Sequence, residues 1–198
     1  MAETDPLPEQ DPCARPEIAA FCPRVEEMVS TERYEHIQRV ARLAVAIARA
    51  NGFPEADAEA ACLAALLHDA ARDLPPEELF RLAPPENALE EEQPLSVHGR
   101  AARVMAASWG VDDPRVLEAI EGHVFGVGPD NRIGIAVYVA DVCEPGRGVN
   151  DDIRELAMRD LTQAYEKAVG SKVHYLRSKG KRVHPATLEV YEQICHQA

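Results

Sequence analysis

The run AEAACLAALLHDAARDL, residues 58–74, decides how the rest of the chain is read. Alanine and leucine, with no glycine or proline, favour a helix, and apolar residues this dense belong inside a protein. Then come His68 and Asp69, side by side, where the pattern still calls for burial. A buried carboxylate costs several kcal/mol unless a positive partner meets it. The sequence therefore has to supply a partner for Asp69.

The composition limits what that partner is. The chain has 198 residues, of which 46% are hydrophobic and only 5% aromatic. That is enough for one ordinary domain with a packed core, and small apolar residues favour close-packed helices over a sandwich or barrel. A formal net charge of −13 argues against general nucleic-acid binding and against an anionic membrane surface. An anionic small substrate is still compatible, provided positive charge is concentrated locally, and metal ions are its densest source. The five cysteines include no CxxC pair, which fits a reducing compartment without structural disulfides. The start, MAETDPLPEQDP, shows no signal peptide, and no apolar run reaches the ~18 residues of a membrane span. The cytoplasm is the expected location.

Helices account for the remainder. Residues 1–15 are acidic and proline-rich and are expected to form a disordered tail; residues 16–198 read as one domain. Ser30 and Thr31 offer a cap for a long helix with apolar positions Ile37, Val40, Leu43, Ala44 and Ile47, ending at Asn51-Gly52. Pro54 opens the next helix, through about Arg72, and PPENALEEEQP reads as a loop. Helices are expected over 96–109, stopped by Gly110, and from Asp113-Pro114. IGIAVYVADV reads as a helix, with a strand as the rival because of its β-branched content. DIRELAMRDLTQAYEKAVGSKVHYLRSK reads as one long amphipathic helix stopped by Gly180, and a last helix follows His184-Pro185. Leu156, Leu161, Tyr165 and Val173 form a stripe that is either core or a homodimer seam. The expectation is an all-α bundle of about eight to nine helices.

His36, His68, Asp69, His98, His123 and Asp141 fall on separate helices or helix ends, apart from the adjacent pair. Asp141 repeats the problem of Asp69, because it ends the apolar run IAVYVA. Each histidine taken singly has an ordinary reading as a satisfied polar residue. Taken together, four imidazoles and two carboxylates suit iron, manganese, zinc or cobalt better than copper(I) or an iron–sulfur cluster. Six ligands exceed what one tetrahedral zinc needs and fit two ions sharing a carboxylate.

The order H…HD…H…H…D resembles the HD-domain metal-dependent phosphohydrolases, and within them the YqeK-type symmetrical bis(5′-nucleosyl)-tetraphosphatases. The segments that carry the resemblance are RYEHIQRVARLAVAIA, LAALLHDAARDLPPEEL, SVHGRAARVM, VLEAIEGHV, VADVCEPGR and YLRSKGKRVHPATLE. The resemblance implies an HD-type helical bundle and a binuclear centre of iron, with manganese, cobalt or zinc as alternatives. One ion would take His36, His68, Asp69 and Asp141; the other would take His98, His123 and Asp69 as the bridge. Where family members commonly carry a threonine-rich HTTG-like stretch, this chain has HVFG, residues 123–126, which offers no side-chain hydroxyl.

The implied reaction is symmetrical cleavage of diadenosine tetraphosphate to two ADP by hydroxide generated between the two cations. Asp69 and Arg72 are the candidate catalytic residues. Arg72 and then Arg147 are the candidate phosphate contacts, and a surface salt bridge is the other reading of each arginine. Lys179, Lys181 and Arg182 read as a solvated loop or as a wall against polyphosphate. His184 reads as structural, His196 as a tail residue, and Asp73 as a cap for PPEEL or an orienter of Arg72. Another nucleotide phosphohydrolase of the same fold, a nucleotidase or phosphodiesterase, is the alternative. Further from it stands a non-catalytic HD protein that binds a nucleotide or a partner chain.

Overall fold

The structure is a computed structural model that describes residues 14–195. Most of the expected disordered tail, and His196, lie outside the described residues. Arg15, at the end of the expected tail, pairs with Glu59 at 2.6 Å. The described residues contain no strand, in keeping with the all-α expectation.

The helices are α1 (Pro16–Ala19), α2 (Cys22–Met28), α3 (Thr31–Ala50), α4 (Glu55–Leu67), α5 (Pro76–Leu82), α6 (Ala88–Glu92), α7 (His98–Ser108), α8 (Pro114–Gly122), α9 (Arg132–Cys143), α10 (Asp151–Ala157), α11 (Leu161–Ser178) and α12 (Pro185–Cys195). There are more of them than the eight to nine expected, and the excess is local. The loop PPENALEEEQP contains α6, because the Asn87 side chain accepts from the amides of Leu89 and Glu90 and starts a turn. The single long helix expected near the C-terminus is two. It breaks at Met158–Asp160, where Asp160 accepts from the Gln163 amide and caps α11. The expected stops Gly52, Gly110 and Gly180 all adopt positive φ, the conformation that ends a helix without strain only for glycine.

α9 explains why its sequence was ambiguous. It packs against α3, α4, α8, α10 and α11, and every residue from Ile133 to Ala140 is buried. A helix covered on all sides has no polar face, so its sequence shows no helical period. The run of alanines in α4 lets α3 pack closely against it, and Ala58, Ala61, Ala64 and Ala65 are fully buried. Leu161, Tyr165 and Val173 are buried inside the chain and Leu156 packs against the same core, so the stripe is core. No described helix is long and apolar enough to cross a membrane.

Candidate metal centre

α4 ends at Leu67, earlier than expected, and His68 and Asp69 sit on the turn beyond it. This places them where the last carbonyls of a helix have no intrahelical partner. His68 turns its Nδ1 back to the Ala65 carbonyl at 2.6 Å. His123, just past α8, does the same to Ile120 at 2.7 Å. His98, opening α7, does the same to Leu95 at 2.6 Å. His36, within α3, instead has its Nδ1 3.0 Å from Glu144 Oε1. Carbonyls and carboxylates only accept, so all four Nδ1 atoms carry a proton, and in the neutral imidazole that binds a cation each Nε2 presents its lone pair.

Those lone pairs converge on two carboxylates. Asp69 Oδ2 lies 3.8 Å from His36 Nε2 and 3.5 Å from His68 Nε2. Its other oxygen, Oδ1, lies 3.1 Å from His98 Nε2 and 3.4 Å from His123 Nε2. Asp141 Oδ1 lies 3.1 Å from His36 Nε2 and 3.9 Å from His68 Nε2. All six expected residues are thus in one place, with one oxygen of Asp69 facing each pair of histidines. Gly99 makes one side of this possible. Its missing side chain lets α7 approach the Glu121 carbonyl of α8, and His98 Nε2 then lies 2.9 Å from His123 Nε2.

The donors fit divalent cations. The Nε2 atoms of His36 and His68 are buried without a hydrogen-bond partner, which is costly unless something electrophilic occupies the centre. Histidines whose far nitrogen is fixed by a carbonyl or carboxylate are the usual form of a metal site. His36, His68 and Asp141, and likewise His68, Asp69 and His123, have donor atoms within 4.8 Å of one another. Burial pushes the Asp69 pKa up, but His68, His123 and His98 outweigh it, and the carboxyl stays well below its ordinary range. Burial likewise opposes ionisation of Asp141, and His36, His68, Arg147 and His123 overcome it. Burial lowers the His98 pKa against the pull of Asp69.

A cavity of about 650 Å³ opens over the cluster, a size typical of small-molecule sites. Arg72 and Arg147 both line it. Arg147 binds Asp141 through both the carboxylate and the backbone carbonyl. Arg72 has no carboxylate within ion-pair distance among the described residues, although the Asp69 charge acts on it. Asp73 does not cap PPEEL: its Oδ2 accepts from the Ser30 amide at 2.8 Å and ties the turn to the start of α3. Lys179, Lys181 and Arg182 are exposed and outside the cavity, and Arg182 pairs with Glu92. His184 is held by Glu90 at 3.0 Å and stacks on Phe125 at 3.7 Å between ring centres, a structural role.

Sequence reasoning missed four residues. Arg33 donates to Asp69 Oδ2 at 3.0 Å; its place three residues before His36, on the same helix face, was a usable signal. Glu144 is buried, holds His36, and receives Arg39 Nε at 2.8 Å and the Gly146 amide at 2.6 Å. The nearby Asp141 is marked by the apolar run it ends, but nothing in EPGR marks Glu144 as buried. Tyr138 and Lys172 line the cavity from α9 and α11, and no periodicity points to either.

A family model described as the HD domain matches residues 33–146. The chain is 31% identical over 177 residues to the symmetrical bis(5′-nucleosyl)-tetraphosphatase of Bacillus subtilis, covering 86% of this chain and 93% of that one. It is 31% identical over 138 residues to the Staphylococcus aureus protein of the same name, covering 67% and 70%. A crystal structure from Clostridium acetobutylicum, described as a "predicted HD superfamily hydrolase involved in NAD metabolism", superposes with a TM-score of 0.82 at 26% identity, over 91% of this chain and 97% of that one. A bundle whose helices and helix ends carry the H…HD…H…H…D set, matched over its central 33–146, belongs to the HD domain family.

Proposed function

We propose that this chain hydrolyses diadenosine tetraphosphate symmetrically to two ADP, at a binuclear metal centre within a single HD-type domain spanning 16–198. His36, His68, Asp69 and Asp141 would hold one ion, and His98, His123 and Asp69 would hold the other. Iron is the metal the family resemblance implies, and manganese, cobalt or zinc suit the same donors. The observation that carries the reading is the orientation of the histidines: every Nδ1–H is tied outward, so four imidazole lone pairs and two carboxylates face one another. The names of the relatives support the substrate and the position of cleavage.

When bound, the ions supply positive charge for phosphate oxygens and lower the pKa of a nearby water. The protein does the rest. Arg33 and Arg147 hold the two carboxylates in place through Asp69 and Asp141. Arg72, with no carboxylate partner among the described residues, is the arginine available to the substrate. It meets the charge that builds on the transferring phosphoryl group. The water oxygen bonds to one of the two central phosphorus atoms, its protons pass to solvent, and the bond from that phosphorus to the central bridging oxygen breaks, so that oxygen leaves on the other half. The two halves leave as ADP.

The test is to purify the chain under low oxygen, measure bound metal, and resolve the products from diadenosine tetraphosphate. Two ions per chain and ADP alone are expected. AMP with ATP would replace this reading with another nucleotide phosphohydrolase. No turnover with iron, manganese or cobalt would refute the enzymatic reading.

A further inference from the structure

Two cavity-lining side chains have hydrogen-bonding capacity that the protein does not use. Lys172 extends from α11 along the cavity wall, and its ammonium donates to the Val124 carbonyl. An ammonium has three N–H donors, and no carboxylate lies within ion-pair distance of this one among the described residues. It sits 5.6 Å from the centre of the Tyr138 ring. Tyr138 is 1% exposed, and its buried hydroxyl has no hydrogen-bond partner among the described residues. The adjoining segment cannot help, since Val124 and Phe125 have no side-chain donor.

Such an arrangement does not serve packing. A methionine and a phenylalanine would fill the same space without withdrawing a charge from water or leaving a hydroxyl unpaired. Burial lowers the Lys172 pKa to about 8, against the pull of Asp141, so the side chain is still mainly a cation at neutral pH. The other two arginines nearest the cluster are committed, Arg33 to Asp69 and Arg147 to Asp141. A part-buried cation and a neutral hydroxyl, both short of acceptors and lining one cavity, match the oxygens of a phosphate group.

We infer that Lys172 and Tyr138 form an anion subsite that binds the phosphate chain of the substrate outside the metal-ligand cluster. Lys172 supplies charge and Tyr138 a directional neutral donor. The inference rests on the polyphosphate reading given above.

The test is isothermal titration of the metal-loaded full chain with ADP and, separately, with inorganic tripolyphosphate. Lys172→Met should weaken both by about ten-fold or more, and Lys172→Arg should recover most of the loss. Tyr138→Phe, which keeps the ring and its packing, should weaken both by about two- to ten-fold. Bound metal should be unchanged in all three variants, and Lys172→Met should melt no lower than wild type at neutral pH. Binding of both probes within two-fold of wild type in both Lys172→Met and Tyr138→Phe overturns the subsite. So does a lowered melting temperature of Lys172→Met with unchanged affinity, which would make the lysine structural. Wild-type binding of tripolyphosphate but not ADP refutes the nucleotide reading alone, and the tripolyphosphate comparison still decides the subsite. Wild-type binding of neither probe removes both.

Discussion

Gly99 is not itself a proposed ligand, yet the structure makes it a sensitive control on the centre. A Cβ built there would lie 2.5 Å from the Glu121 carbonyl oxygen and 2.9 Å from Val124 Cγ2. Ordinary contact begins near 3.4 Å, so Gly99→Ala forces α7 and α8 apart by about 0.9 Å if neither backbone deforms. The first contact is with backbone, which does not swing aside as a flexible side chain does. Overpacking of this kind costs about 1–3 kcal/mol, or about 2–12 °C in melting temperature for a chain this size. The chemical cost should be larger. His98 is the residue before Gly99, and its Nε2 lies 2.9 Å from that of His123 on the other helix. Misplacement by about 1 Å in such a site costs on the order of 10²-fold in rate. The assay is metal analysis alongside turnover of diadenosine tetraphosphate, with circular dichroism to verify folding. The expected variant is folded, retains the ion at His36, His68 and Asp141, and loses most of the ion at His98 and His123. A Gly99→Ala protein with two ions per chain and wild-type kcat would refute the argument that close α7–α8 packing assembles that half.

Four other outcomes are expected. Asp69→Ala should lose both ions and all turnover, because each oxygen of Asp69 faces a different histidine pair; two ions retained would refute the shared carboxylate. Arg72→Ala should keep both ions and lose about ten-fold or more in kcat/KM, and unchanged kinetics would remove Arg72 from the reaction. Glu144→Gln leaves His36 a weaker partner and should reduce affinity for the adjacent ion by about 10–100-fold in a chelator competition. Finally, Lys172 has its folded pKa depressed to about 8 from 10.5, so the unfolded chain holds that proton more tightly between these values. Its burial penalty is therefore full below about pH 8 and fades as pH rises to 10.5. In denaturant melts, Lys172→Met should be the more stable protein below pH 8, by on the order of 1–3 kcal/mol, with the difference shrinking toward zero by about pH 10.5. A difference that does not vary with pH would show that the lysine is not desolvated.

Local chemistry in the sequence determined the helical class, most helix limits and the six residues that converge. Alanine-rich composition, Ser30 and Asp113 as caps, and Gly52, Gly110 and Gly180 as stops all act within a few residues, so they are legible along the chain. Residues whose order in the chain carries the chemistry, such as His68 and Asp69, were legible for the same reason. Only the tertiary structure decided which nitrogen of each histidine faces the centre and which oxygen of Asp69 faces which pair. It also brought in Arg33, Glu144, Tyr138 and Lys172. Those facts depend on contacts between residues far apart in sequence, such as His36 with Glu144 and Lys172 with Val124. The break between α10 and α11 belongs with them, because an amphipathic pattern continues across it while the Asn51 side chain accepts from the Leu161 amide and donates to the Ala157 carbonyl. Periodicity records which face of a helix is buried; it holds no information about what that face meets.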